Sequence, residues 1–88
     1  MTILIHLDFS ENCSYETAYQ YVSKILADRF PVACCAYDTR DENTIGVDID
    51  FEGSKWMDQK LPMLDVWGRI ASTLIFSGIT GIKFEVVA

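Results

Sequence analysis

Ile45-Gly46-Val47-Asp48-Ile49-Asp50-Phe51-Glu52 is the stretch on which the reading of this chain turns. Its alternation sends Val47, Ile49 and Phe51 to one side of a strand and Asp48, Asp50 and Glu52 to the other. Such a strand belongs in a sheet with one buried face and one wet face. A slip of one residue would bury three carboxylates, so the pattern sets the register. At a rise of about 3.3–3.4 Å per residue, neighbouring carboxylates on the wet face stand roughly 6.6–6.8 Å apart. Asp38, Asp41 and Glu42 extend this row of charge at the preceding turn. Between residues 38 and 52 six acids face one base, Arg40, which accounts for −5 of the net charge of −6.

Upstream, Val32 to Tyr37 is short, apolar and β-compatible, and the polar run 38–43 makes it a hairpin partner for the acidic strand. Before it, Ala18, Val22, Ile25 and Leu26 recur at helical spacing from Tyr15 to about Arg29. Ser14 is a good N-cap, Glu16 suits the positive end of the helix dipole, and Pro31 forbids continuation. Residues 2–9 alternate again, with Ile3, Ile5, Leu7 and Phe9 on one face and Leu4, His6 and Asp8 on the other.

Downstream, Gly53-Ser54 breaks the strand. Residues 55–61 read as a helical turn or a loop, with Trp56 and Met57 as lid residues, and Pro62 as the first position of a second helix. Met63, Trp67, Ile70 and Leu74 form the stripe of that helix, flanked by Leu64, Val66, Ala71 and Ile75, while Asp65, Arg69 and Ser72 face water. Gly78 serves as its C-terminal cap, and Ile82 to Val87 form a last strand. The order is β-α-β-β-α-β in one α+β domain spanning residues 1–88. It predicts a ferredoxin-like, four-stranded antiparallel sheet in order 4-1-3-2 with both helices on one face. In that order the first strand lies beside the acidic strand, so Leu4, His6 and Asp8 share the open face with Asp48, Asp50 and Glu52.

Composition narrows the function classes. Half the 88 residues are hydrophobic, enough for one small core. A pI near 4.4 argues against direct nucleic-acid binding and against an anionic membrane surface, both of which call for clustered Lys and Arg. Met1 to Asp8 has no basic n-region and too short an apolar run for a signal peptide, and no stretch approaches a membrane span, so a cytoplasmic location is expected. Cys13, Cys34 and Cys35 lack framework spacing. The last two point to opposite faces of a strand, and all three read as buried, inert, reduced thiols.

No nucleophile elbow, Walker loop, zinc-type spacing or dinucleotide glycine signature occurs. The acidic row is a poor metal cage, because a straight strand splays its ligands. His6 among carboxylates is the sharpest catalytic candidate, as a general acid or a pH-sensitive contact, but a lone strand histidine is more often structural. RNA-recognition motifs share this element order but present basic residues and stacking aromatics on the open sheet. Acylphosphatases carry a phosphate loop and an arginine, and metal chaperones a Cys-x-x-Cys after the first strand. This chain shows none of these.

The expectation is therefore a non-enzyme without cofactor or metal: a small acidic inhibitor that neutralises a basic, nucleic-acid-processing protein by covering its surface. In size and charge it is similar to immunity proteins, antitoxins and phage anti-defence proteins, including anti-CRISPRs and nucleic-acid mimics. Asp38, Asp41, Glu42, Asp48, Asp50 and Glu52 are the expected contact residues, with preorganised charge speeding encounter. The alternative is a regulatory or ligand-binding domain that self-associates through its sheet as a homodimer. Tyr15, Tyr19, Trp56, Trp67 and Phe76 are expected mostly in the core, with Tyr19 and Phe76 as candidate exposed anchors.

Overall fold

A computed structural model describes residues 1–9, 14–51 and 55–87. The elements are β1 (Thr2–Phe9), α1 (Tyr15–Arg29), β2 (Cys34–Asp38), β3 (Thr44–Ile49), α2 (Lys55–Phe76) and β4 (Ile79–Val87). All strand pairs are antiparallel and the order is β2-β3-β1-β4, the expected ferredoxin-like arrangement.

Strand parity puts one apolar face against both helices. Ile3, Ile5 and Leu7 of β1 and Ile45, Val47 and Ile49 of β3 pack with Ala18, Val22 and Leu26 of α1 and with Met63, Val66, Ile70 and Leu74 of α2. Helix α1 begins where its cap dictates: the Ser14 side chain accepts from the Thr17 amide at 3.2 Å, satisfying one of the orphan donors of the first turn. It ends with Phe30, whose amide still donates to the Leu26 carbonyl at 2.7 Å. Gly78, at φ 99°, ends α2 in a conformation that glycine adopts without Cβ strain.

Four boundaries differ from the sequence reading. Strand β4 begins at Ile79 and not at Ile82, because the far end of β1 pairs with it at Asp8↔Gly81 and Phe9↔Ile79. Strand β2 starts at Cys34, because residues 31–33 form a turn closed by Cys34 N to Phe30 O at 3.2 Å. Val32 is accordingly 96% exposed. Strand β3 runs from Thr44 only to Ile49. Its last amide donates to Met1 O at 2.9 Å, and the next, at Asp50, donates to Ala33 O at 2.7 Å. The chain then turns so that Phe51 meets Phe30 edge-on at 5.5 Å, half-buried instead of buried. Finally, α2 starts at Lys55 and carries Pro62 inside it. A proline there removes one hydrogen bond, the one Asp58 O would accept. Burial of Met63, Val66, Ile70 and Leu74 further along outweighs that loss. The expected flanks Leu64 and Ile75 are 55% and 61% exposed, so the buried stripe of α2 is narrower than the apolar one. Among the described residues no helix is long and apolar enough to cross a membrane.

Candidate partner-binding surface

The acidic residues fall into two groups. At the hairpin end, Asp38, Asp41 and Glu42 are exposed around an open hollow of about 480 Å³ that Ser14, Tyr15, Arg40 and Asn43 also line. At the other end of β3 stand Asp48, on the open face, and Asp50, past the strand's end. Both are exposed. Four residue steps along the strand separate Thr44 from Asp48, about 13 Å, so the charge does not form one continuous row. Glu52 was expected to contribute here and Trp56 and Met57 to act as lid residues, but the placement of Glu52 and of the other two side chains lies outside what is described.

The hairpin carboxylates are held by their own loop. Asp38 Oδ1 accepts from the Arg40 amide at 2.8 Å and from the Tyr15 hydroxyl at 3.2 Å. Asp41 Oδ1 accepts from the Asn43 amide at 2.9 Å, and the Thr39 hydroxyl donates to Thr44 O at 2.7 Å. These side-chain turns let Arg40 take φ 66°, a left-handed conformation unusual for a residue with a Cβ. Burial first, then the hydrogen bond and charge of Asp38, push the Tyr15 phenol up from its ordinary 10.0 to about 12. Asp38 and Asp41 thus serve as turn formers as well as fixed charges. At the far end, Asp48 Oδ1 accepts from the Thr2 hydroxyl at 3.2 Å.

His6 does not meet the carboxylates expected beside it. Thr2 is the residue opposite Asp48, and His6 is opposite Thr44. Its Nε2 lies 2.8 Å from Glu85 of β4, and its Nδ1 lies 3.2 Å from the Thr44 hydroxyl. That hydroxyl also donates to Asp41 Oδ2 at 3.3 Å. Thr44 has one proton to give. It can serve Asp41 or Nδ1, and which ring nitrogen donates follows from the tautomer of His6. Thr44 is only 4% exposed, and it lines an open hollow together with His6 and Asp41. The network pins the hairpin turn to β1 and β4.

The open face carries a second feature that composition did not announce. Tyr37 lies opposite Gly46, and a Cβ at residue 46 would stand 2.2 Å from the Tyr37 ring. The ring therefore lies flat over the backbone of β3, where only glycine leaves room. Of the expected anchors, Phe76 is 92% exposed, whereas Tyr19 is half-buried with its hydroxyl on Ala36 O at 2.9 Å. The thiols divide likewise. Cys34 is buried and raised from 9.0 to about 11 by that burial, while Cys35 is exposed, contrary to the expectation. Cys13 lies outside the described residues.

Glu85, Thr44 and the Tyr37–Gly46 pair escaped sequence reasoning because each acts through a partner on another strand. The alternation Ile82-Lys83-Phe84-Glu85-Val86 was a usable signal for Glu85, since it places that residue on the same open face as His6. Among the described residues no three metal-ligating side chains gather. No protein-family model matches the chain, and neither a search of curated proteins nor one of solved structures returns a match.

Proposed function

We propose that this chain is a small acidic binding protein that inhibits a basic partner by covering a surface that otherwise holds nucleic acid, in the manner of immunity proteins, antitoxins or phage anti-defence proteins. One observation carries this reading: the charge is segregated by layer. The two helices hold Glu16, Asp28, Asp58 and Asp65 against Lys24, Arg29, Lys55, Lys60 and Arg69. Outside them the described residues hold seven acids, Asp8, Asp38, Asp41, Glu42, Asp48, Asp50 and Glu85, and two bases, Arg40 and Lys83. A surface made only for solubility mixes its signs. Here the helical layer is nearly neutral, and the described strands and loops are strongly acidic. Charge fixed on a strand end and a self-braced hairpin steers a cationic partner and sets its orientation.

Partner identification by cross-linking in the native cell, followed by association rates across a salt series, tests the proposal. Wild-type association should slow as the screening length falls from about 10 Å at 0.1 M to about 3 Å at 1 M. Asp48→Lys/Asp50→Lys should slow it sharply while shifting stability by no more than about 0.5 kcal/mol, since both side chains are exposed. Equal rates for the two proteins would reduce the acidic groups to a solvated surface.

A further inference from the structure

We propose that the outer side of β4 is the seam of a symmetric dimer, in which a second copy of this chain adds its own β4 in antiparallel pairing about Phe84. Strand β4 is an edge of the sheet, nine residues long, or about 30 Å at 3.3–3.4 Å per residue. Edges of that length present a row of unpaired amides and carbonyls and are ordinarily blunted by proline, several charges or brevity. Residues 79–87 contain no proline and only two charges, Lys83 and Glu85. The opposite edge, β2, is five residues long and ends in an aspartate.

The sequence of β4 selects the register. With the two-fold axis at Phe84, each Lys83 faces the second copy's Glu85, and each Ile82 faces the second copy's Val86 on the other side of the sheet. An axis at residue 83 would set lysine against lysine, and one at residue 85 glutamate against glutamate, both unfavourable. Registers between these would bring side chains of opposite faces together. Lys83 makes no ion pair among the described residues. Glu85 already holds His6 at 2.8 Å and has acceptor capacity for a second cation. On the helix side Phe84 rests against Trp67 at 5.3 Å, but Val86 remains 63% exposed and would be covered by the second copy's Ile82.

Net charge does not forbid the contact, although each chain carries −6. The acidic hairpin and Asp48 lie on the β2–β3 side. With strands about 4.7–4.9 Å apart, β2 is roughly 14 Å from β4, and dimerisation leaves the acidic hairpins at the two outer ends of an eight-stranded sheet. This inference does not rest on what those hairpins bind.

Sedimentation equilibrium of the purified chain over a concentration series is the test. The expected result is a reversible dimer of twice the 10.0 kDa chain mass. K83E and E85K, each replacing two attractions by two repulsions, should weaken it roughly tenfold or more. The double variant K83E/E85K should restore it and keeps an acid within reach of His6. Circular dichroism of each variant checks the fold. A monomer throughout the series would overturn the proposal and leave the edge to another protein. A dimer untouched by K83E, or a double variant no better than the single ones, would overturn it by placing the interface elsewhere, such as the exposed Leu61, Leu64 and Ile75 of α2.

Discussion

The two edges of this sheet solve the same problem in opposite ways. On the β2 side the edge is short, its turn is stitched by Asp38, Thr39 and Asp41, and the Tyr37 ring covers the open face over Gly46. On the β4 side the strand is nearly twice as long, apolar at Ile82, Phe84 and Val86, and among the described residues has no turn-braced partner on its outside. The contrast teaches where this molecule has spent its polar groups. The acidic side chains that give the chain its charge also finish one edge, and the other edge has been left able to pair.

The largest expected effect of a single change on that contrast is at Gly46. Gly46→Ala places a Cβ inside the Tyr37 ring, and the ring must leave the sheet. The expected cost is about 1–3 kcal/mol, read from urea denaturation. Adding Tyr37→Ala should make the Gly46→Ala step nearly free, because its obstacle is then gone. If the two costs simply add, the ring is not what excludes a side chain at residue 46.

Next comes pH. Tyr15 and Cys34, raised to about 12 and about 11 from 10.0 and 9.0, both belong to the β2 side. Each is neutral when protonated, and each binds its proton more tightly folded than unfolded. Their contribution is intact below about pH 9 and is lost as pH rises from there towards 12. Urea melts between pH 8 and 12 should show stability falling in that window, and Tyr15→Phe should flatten the upper part of the slope. A flat profile for the wild-type protein would mean that neither group is held as the structure shows.

The smallest effect is expected on the β4 side. A Cβ at Gly81 would meet Asp8 Oδ2 at 2.7 Å, which is the tip of an exposed side chain and not a ring lying on backbone. Gly81→Ala also restricts the unfolded chain, which favours folding. The net change should stay within about 0.5 kcal/mol. A loss as large as that at Gly46 would show that both edges are equally closed, and the comparison would fail.

Local chemistry made much of this legible from residues alone. Ser14, Arg29 and Pro31 mark both ends of α1, and the alternation in β1 and β3 assigns buried and open faces, because caps and strand parity act within a few residues. What escaped depends on contacts far apart in the chain. Strand β3 stops at Ile49 because Met1 and Ala33 supply its last hydrogen bonds, and nothing between 45 and 52 encodes that. His6 found Glu85 instead of Asp48 because register is a property of two strands. The hairpin carboxylates looked like free charge in the sequence, and the structure shows two of them employed in their own turn.

Pro62 divides α2 into unequal parts. From Asp58 to Pro62 no side chain is buried, whereas Met63, Val66, Ile70 and Leu74 beyond it are fully enclosed. The missing hydrogen bond falls at that same boundary, so the stretch from Asp58 to Pro62 is held less firmly than the turns beyond it. In the language of sub-global unfolding, the helix joins two cooperative units with different opening free energies. A helix that begins at Pro62, where an isolated helix would prefer its proline, is the partly open form to expect, and amides before Pro62 should exchange faster than those beyond it.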